Sequence, residues 1–207
     1  KTVKEGATDF VVKPWDNAKL IATLLSAYRL RQSQTEVKQL REKEIELKKQ
    51  LTSGEELIWG DSPVMQQLHR LIEKVASTDA NILITGENGT GKEMIAKELH
   101  RLSKRNKEVM IGVDMGAITE TLFESELFGH VKGAFTDAKE DRAGKFEAAN
   151  KGTLFLDEIG NLTYSLQSKL LAAIQSRQIT RIGSNKPIDI DIRLICATNS
   201  NLQKMVA

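Results

Sequence analysis

A glycine-rich turn between an apolar run and a helix-like segment restricts the fold of this chain more than any other feature. The turn occupies residues 86–93, directly after the apolar run 81–85 and before the helix-like segment 94–99. Its glycines allow positive φ and a close approach of the backbone to a ligand; they are Gly86, Gly89 and Gly91. A strand, such a turn and a helix in succession predict a cradle for the phosphates of a nucleotide.

The chemistry of this turn matches what a triphosphate needs. Backbone N–H groups of the loop and of the first helical turn face the anion, and Lys92 reaches the β and γ oxygens. Glu93 stands where a serine or threonine usually contacts Mg²⁺, so metal ligation must come from elsewhere. An ordinary glycine-rich turn is the alternative, and the flanking strand and helix argue against it. The predicted nucleotide-binding residues are Gly86, Glu87, Asn88, Gly89, Thr90, Gly91, Lys92 and Glu93.

Two adjacent carboxylates end a second apolar run. Residues 152–156 are predicted to form a strand, with Asp157 and Glu158 at its tip. Successive strand residues point to opposite sides, so the two acids serve different tasks. Asp157 is predicted to hold Mg²⁺ through water, and Glu158 to polarise the water that attacks the γ-phosphate. The alternative is a strand that ends in a solvated acidic turn. The phosphate loop in the same chain argues against this alternative.

Composition excludes several classes of protein. The 207 residues suffice for one domain with additional segments, and a net charge of +2 gives no reason to expect nucleic acid. The single cysteine, Cys196, is predicted to be a core residue, and the lack of a disulfide framework favours a reducing cytoplasm. No apolar run is long enough to span a bilayer, and no secretory signal occurs. A chain that begins at Lys1 and stops at Ala207 is expected to be a fragment of a longer protein.

Residues 1–33 are predicted to form a separate unit. Residues 7–14 read as a short strand closed by proline, and Asn17 to about Arg31 as a helix with an apolar stripe. The unit resembles the C-terminal end of a two-component receiver domain, in which a lysine before a cis proline contacts the phosphorylated aspartate. Lys13 and Pro14 match these positions, so Lys13 is the predicted receiver lysine. The phospho-acceptor aspartate of a receiver is not among these residues, and the unit is not expected to sense phosphorylation unaided.

Residues 34–55 are predicted to form a helical linker. Its highly charged part, residues 34–52, contains no glycine or proline, and Ser53 and Gly54 then end it. Spacings of three and four residues form a heptad seam with two polar interruptions: Leu30, Ser33, Val37, Leu40, Glu44, Leu47 and Leu51. A signalling helix that dimerises in parallel is the preferred interpretation, and a solvated single helix is the alternative.

Residues 56–207 alternate strands with helices, which predicts an α/β fold with a parallel sheet and crossover connections. A helix is expected to begin at Pro63. The predicted strands are residues 81–85, 109–113, 152–157 and 192–197.

Motifs between the phosphate loop and the acidic strand resemble a known family. Residues 124–130 and 132–138, taken with 86–93, are similar to the AAA+ domain of sigma-54-dependent response regulators, the bacterial enhancer-binding proteins. The resemblance covers residues 57–207 and implies an AAA+ P-loop NTPase core that binds ATP with Mg²⁺. The receiver-like unit ahead of it fits the domain order of the same family.

The resemblance also implies a partner loop. The family carries a surface loop that contacts sigma-54 and moves with the nucleotide state, and the matching residues are Gly133, Ala134, Phe135, Thr136, Asp137 and Ala138. A phenylalanine flanked by small residues reads as an exposed contact tip, with a buried core position as the alternative. Asp137 replaces a glycine of the family pattern, which adds charge, removes backbone freedom and leaves the effect on sigma-54 contact open.

Further site residues follow from the resemblance alone. Asn199 matches sensor I, where a polar side chain reads the γ-phosphate and positions water, and it joins Asp157, Glu158 and Lys92 as a predicted catalytic residue. Residues 178–184 resemble a second insertion hairpin that supports the partner loop. Asp114 stands where the family usually has an asparagine that restrains the catalytic glutamate, and because two carboxylates repel, the gating of Glu158 is left open. The resemblance also implies arginine fingers, a sensor II, a lid and a helix-turn-helix, all of which are expected beyond residue 207.

These observations predict an ATP-hydrolysing transcriptional activator of a two-component system, which remodels sigma-54 RNA polymerase as a ring oligomer. Expected partners of the intact protein are sigma-54 and RNA polymerase, other copies of the chain, a cognate sensor kinase and DNA. Two alternatives remain, namely an AAA+ remodelling ATPase with a different partner and a nucleotide-binding dimerisation module without turnover. These 207 residues alone are expected to turn over weakly or not at all, because neighbour-supplied arginines are worth roughly 10³–10⁵ in rate in related NTPases.

Overall fold

The computed structural model describes residues 17–52 and 59–200. The chain divides into two compact units, Lys1–Leu47 and Lys48–Ala207. The predicted strand at residues 7–14 and the receiver lysine Lys13 lie outside the described residues, as does the segment 201–207.

One long helix, α1 (Asn17–Thr52, 36 residues), accounts for all the described part of the predicted receiver helix and linker. It runs without interruption because no glycine or proline occurs between its ends. The predicted break at Ser53 lies outside the described residues. Apolar side chains along it are exposed, namely Ile21, Leu24, Leu25, Tyr28, Leu30, Val37 and Leu40. None of the described helices is both long enough and apolar enough to cross a bilayer.

The remaining described residues form a parallel α/β sheet with helices on both faces. Each predicted strand is present and begins one residue later than predicted, and the sheet order is β1-β8-β5-β2 with all neighbours parallel. The strands of this sheet are β1 (Ile82–Thr85), β2 (Met110–Asp114), β5 (Thr153–Asp157) and β8 (Arg193–Thr198). Two short antiparallel pairs accompany it: β3 (Gly129–His130) with β4 (Arg142–Ala143), and β6 (Gln178–Thr180) with β7 (Pro187–Asp189).

The helices of this unit connect the strands, as the alternating pattern predicts. They are α2 (Pro63–Ala76), α3 (Lys92–Arg101), α4 (Glu120–Phe128), α5 (Lys145–Ala148) and α6 (Tyr164–Ser176), with a 3-10 helix at Ile159–Asn161. Helix α2 begins with proline at its first position, and the Ser62 hydroxyl caps it by accepting a hydrogen bond from the Met65 amide. This start confirms the predicted helix boundary.

The sheet buries a different set of side chains on each face because successive strand residues alternate in direction. Phe155 and Ile195 pack with α2 and α3, whereas Leu154, Leu156 and Cys196 pack on the other side with α4, α5 and α6. Burial raises the pKa of the Cys196 thiol to about 12, so the thiol stays protonated at neutral pH. Cys196 is therefore a core residue, as predicted.

A buried arginine joins the sheet to the end of α2. Arg193 is fully buried, and its guanidinium donates to the carbonyl oxygens of Ala76 and Val75, both at 3.0 Å. The last carbonyls of a helix lack intrahelical partners and carry partial negative charge, so a cation stabilises them there.

His100 makes the stability of this unit sensitive to mild acid. Its ring is buried, with Nδ1 2.8 Å from the Thr153 hydroxyl, and burial lowers the pKa of the ring below its usual 6.5. In the unfolded chain the ring takes up a proton below about pH 6.5, while the folded chain resists protonation. We expect stability to fall as pH drops through 6.5 towards the folded pKa, with a slope from this group of up to about 1.4 kcal/mol per pH unit.

Urea unfolding at pH 7.5 and 5.5 measures this effect. The non-titrating variant His100→Gln is expected to lose less stability between the two pH values than the wild type does. His69→Gln, on the accessible face of α2, is the matched control and is expected to keep the wild-type difference. An unchanged difference in His100→Gln would contradict the prediction.

Candidate functional site

The strand order brings the predicted site residues to one edge of the sheet. The phosphate loop follows β1, Asn199 follows β8, and Asp157 ends β5, and these three strands are adjacent. The carboxyl ends of parallel strands share an edge, which is where α/β sheets bind ligands. Gly86 N–H donates to the Thr198 carbonyl at 3.2 Å, so the phosphate loop leaves β1 while still attached to β8.

The phosphate loop uses its glycines in two ways. Gly89 and Gly91 have φ values of 78° and 84°, a region that favours glycine. Gly86 was predicted to share this conformation and is not among the residues with positive φ in the described chain. Its lack of a side chain serves packing instead, since a Cβ there would lie 3.0 Å from the Thr90 hydroxyl.

Lys92 lies at the base of this loop, on the first residue of α3. Its ammonium donates to the carbonyl oxygens of Gly86 at 3.1 Å and Glu87 at 2.9 Å, and the side chain is largely buried. Glu93 turns along the helix surface to Lys97, with 2.8 Å between Oε1 and Nζ. The positively charged Lys92 ammonium thus lies against the glycine-rich turn that is predicted to bind phosphate.

Glu158 leaves the acidic strand with an unusual backbone. Its φ of 56° is rare for a residue with a side chain, and it precedes the 3-10 helix at 159–161. Its N–H donates to Asp157 Oδ1 at 2.9 Å, and its own Oε2 accepts a hydrogen bond from Asn161 Nδ2 at 2.9 Å. The carboxylates of Asp157 and Glu158 therefore have different hydrogen-bond partners.

Asp114 lies beside these acids on the neighbouring strand. Asp114 of β2 is the register partner of Asp157, and its Oδ1 accepts from the Gly116 N–H at 2.8 Å. A Cβ on Gly116 would lie 3.3 Å from Asp114 Oδ1 and 2.8 Å from Glu158 Oε2. The two carboxylates therefore flank the same glycine.

Asn199 contacts the phosphate loop. Its Nδ2 donates to Asn88 Oδ1 at 2.9 Å, across 111 positions in the chain. The residue predicted to read the γ-phosphate is thus brought to the loop predicted to bind it.

A divalent cation would find carboxylates but no preformed cage at this edge. Within residues 17–52 and 59–200 there is no group of three histidine, cysteine, aspartate or glutamate side chains arranged to hold a metal. Mg²⁺ is typically held by one or two carboxylates together with phosphate oxygens and waters. Asp157, with Asp114 beside it, fits that requirement when a nucleotide supplies the phosphates.

The predicted partner loop forms a compact turn with its phenylalanine at the surface. Phe135 is 41% exposed, which excludes the buried-core alternative. Its ring meets His130 edge-on, with 4.9 Å between ring centroids, and the buried His130 lies 2.8 Å from the Ser125 hydroxyl. The loop closes on itself through a 2.8 Å hydrogen bond from the Gly133 amide to the Ala138 carbonyl.

The hairpin formed by β6 and β7 supports the base of this loop. Val131 N–H donates to the Ile182 carbonyl at 3.1 Å, and Ile182 N–H donates to the Gly129 carbonyl at 2.9 Å. Arg181 makes a two-pronged ion pair with Glu147 of α5 at 2.7 and 2.6 Å, which lowers the pKa of that carboxyl. The hairpin is therefore hydrogen-bonded to the base of the partner loop and ion-paired to α5.

The sequence interpretation missed Asn161 as a contact of Glu158. The available signal was an amide three residues after the predicted catalytic carboxylate, within a turn that contains Gly160. The interpretation also did not identify Gly116 as the point where the two carboxylates meet.

Comparisons with known proteins agree with this arrangement. The family model described as "Sigma-54 interaction domain" matches residues 58–207. The regulatory protein AtoC of Escherichia coli is 45% identical over 205 residues, 97% of this chain and 42% of its own length. The transcriptional regulatory protein FlgR of Helicobacter pylori is 51% identical over 146 residues, 70% of this chain and 38% of its own length.

A solved structure shares the fold. NtrX from Brucella abortus in complex with ATP superposes with a TM-score of 0.67 at 33% identity, over 99% of this chain and 44% of that one. The chain thus spans less than half the length of these relatives. Because the family model matches residues 58–207, well over half of the chain, this chain belongs to the sigma-54 interaction domain family.

Proposed function

We propose that this chain is the ATP-hydrolysing part of a transcriptional activator that remodels sigma-54 RNA polymerase. The observation that carries the proposal is the meeting of the phosphate loop, Asn199, Asp157 and Glu158 at one edge of the sheet. The ATP complex of NtrX, which has the same fold over 99% of this chain, supports ATP as the nucleotide.

Each residue at this edge has a chemical task in the proposal. The loop from Gly86 to Glu93 cradles the phosphates with its amides, and Lys92 moves from the loop carbonyls to the β and γ oxygens. Asp157 would hold Mg²⁺ through water beside the phosphates, and the ion would neutralise phosphate charge there. Glu158 accepts a proton from the attacking water, and Asn199 orients that water through its amide.

The partner loop transmits the state of the nucleotide site to sigma-54. Phe135 presents an aromatic surface at the tip of residues 133–138, and aromatic side chains dominate the energy of many interfaces. Asp137 follows at the exposed edge of the same turn, so the contact surface on sigma-54 must accommodate a negative charge. The hairpin at 178–189 holds the base of the loop and so couples it to the core.

The preceding residues are proposed to control assembly. In this division, residues 1–33 are the end of a receiver, and Lys13 is its receiver lysine. Residues 34–55 are the linker, and residues 56–207 are the ATPase domain. The exposed apolar stripe on α1 fits pairing with a second copy of the chain. In the intact protein we expect ring assembly, a cognate sensor kinase and a cytoplasmic location.

Capture of sigma-54 by the intact protein tests the proposal. ATP turnover is measured first, and sigma-54 binding is then measured with an ATP transition-state mimic bound. We expect Phe135→Ala to keep turnover and to weaken sigma-54 binding at least tenfold, as for truncation of a central aromatic residue. Tyr164→Ala is the control, because it truncates an exposed aromatic residue on a different element, α6. We expect this variant to bind sigma-54 as the wild type does.

Other results would select the alternatives. Turnover without sigma-54 binding in the wild type would indicate an AAA+ ATPase that remodels a different partner. Nucleotide binding without turnover would indicate a dimerisation module that uses nucleotide only as a ligand.

A further inference from the structure

We propose that Asn161 is the residue that positions the catalytic carboxylate of Glu158. This inference rests on the proposed function, because it concerns the geometry of the same hydrolytic site. It assigns to the 3-10 helix after β5 the restraint of Glu158, which the family resemblance would place on β2 at position 114.

Asn161 bonds Glu158 at two points. Its side-chain Nδ2 donates to Oε2 at 2.9 Å, and its backbone N–H donates to the Glu158 carbonyl at 3.0 Å. The two bonds tie both ends of Glu158 to the same turn. A long carboxylate side chain that would otherwise sample several rotamers is thereby restricted in direction.

The charge around Glu158 makes this amide important. Asp157 precedes Glu158 in the chain, and Asp114 flanks the same glycine from β2. Ionised carboxylates accept hydrogen bonds but donate none, so neither neighbour can donate to the Glu158 carboxylate when ionised. The amide of Asn161 supplies such a donor, at 2.9 Å from Glu158 Oε2.

Asp114 is already engaged elsewhere. Its Oδ1 accepts from the Gly116 amide at 2.8 Å within its own turn. A Cβ on Gly116 would lie 2.8 Å from Glu158 Oε2 and 3.6 Å from Asn161 Nδ2. The glycine thus leaves room for the hydrogen bond between Asn161 and Glu158, on the side that faces Asp114.

The backbone holds Asn161 in place. Glu158 has a φ of 56°, and the 3-10 helix that follows brings the residue three positions later back beside it. A Cβ on Gly160, in the middle of this helix, would lie 2.5 Å from Ser200 Oγ and 3.0 Å from Thr198 Oγ1. The 3-10 helix therefore packs closely on the end of β8, and the placement of Asn161 does not depend on its own side chain.

Steady-state ATP turnover of the intact protein tests the assignment. Asn161→Ala is expected to lower kcat about tenfold or more with KM nearly unchanged, because a hydrogen bond to a charged group is lost away from the phosphate loop. Asn106→Ala truncates an exposed asparagine before β2, at the opposite edge of the sheet, and is expected to behave as wild type.

Two further variants separate positioning from simple packing. Asn161→Asp has the same shape but replaces the donor with a third neighbouring carboxylate, so kcat is expected to fall at least as far as in Asn161→Ala. Adding Asp114→Asn to that variant returns an amide to the side of Glu158 and is expected to recover at least part of the lost kcat. A residue needed only for packing would tolerate the aspartate and show no rescue.

The possible outcomes are distinct. If the wild type hydrolyses ATP and Asn161→Ala keeps its kcat, the assignment is wrong while the proposed function stands. A raised KM with unchanged kcat in Asn161→Ala would also overturn it, because the residue would then act in nucleotide binding. Absence of hydrolysis in the wild type would overturn the proposed function and this assignment together.

Discussion

Replacing Glu158 with glutamine is expected to lower ATP turnover of the intact protein by about 10²–10⁴, the usual contribution of a general base. The amide keeps the size of the side chain but cannot accept the proton of the attacking water. Nucleotide binding should persist, because the phosphate loop and Lys92 lie on other elements. Turnover by phosphate release and binding by calorimetry measure the two effects separately.

A matched change elsewhere controls for the loss of one negative charge. Glu73→Gln makes the same replacement on the accessible face of α2 and is expected to keep wild-type turnover. If Glu158→Gln hydrolyses ATP within a few fold of the wild-type rate, the general base is another group. Asp157 and Asp114 are then the nearby carboxylates that could serve. Loss of binding in Glu158→Gln would instead indicate that the change disturbed the site.

Gly144→Ala is expected to cost about 3 kcal/mol of stability, the upper end of what an added group in a packed interior costs. Gly144 precedes α5, where the chain passes directly over the turn after α4. A Cβ there would lie 2.3 Å from the Leu127 carbonyl oxygen, 2.4 Å from the Gly129 amide nitrogen and 2.5 Å from the Phe128 carbonyl carbon. These are backbone atoms, which cannot rotate away as a side chain would, so the chain itself must shift.

Urea unfolding followed by circular dichroism measures the cost. Gly112→Ala is the matched control, because a Cβ on this residue of β2 would meet only a side-chain carbon of Phe155 at the ordinary distance of 3.9 Å. We expect its unfolding midpoint to stay near that of the wild type or to rise slightly, since alanine reduces the entropy of the unfolded chain. Equal midpoints for the two variants would show that the close approach at Gly144 relaxes at little cost.

The consequences of Gly144→Ala should extend to the partner loop. Gly129 is both the residue that Gly144 approaches and the residue whose carbonyl accepts from Ile182 of the supporting hairpin. A shift of this backbone would move the base of the loop that carries Phe135. We therefore expect sigma-54 binding to weaken in this variant more than ATP binding does.

Local chemistry explains why much of the architecture could be predicted. Apolar runs such as 192–197 and the heptad-like segment of α1 reveal strands and helices because periodicity is a property of neighbouring residues. The phosphate loop is equally local, since its glycines and Lys92 lie within eight positions. Asp157 and Glu158 were recognisable because a strand places its last residues at the sheet edge.

The errors and omissions arose where conformation depends on distant parts of the chain. Positive φ was predicted at Gly86, but the residue continues the pairing of β1 with β8, and its lack of a side chain leaves space for Thr90. Phe135 is exposed as predicted, but the sequence did not indicate that its ring also packs edge-on against His130. Neither feature can be read from residue type and spacing.

The sequence by itself determined the class of fold, the phosphate loop and the acids predicted to complete the site, because these depend on short-range patterns and strand ends. Only the tertiary structure decided how the acids are arranged. The packing of Gly160 on the end of β8 sets the turn that brings Asn161 to Glu158, and the pairing of β2 with β5 brings Asp114 to the same place. Such contacts join segments that meet only after the sheet has formed, so no local pattern records them.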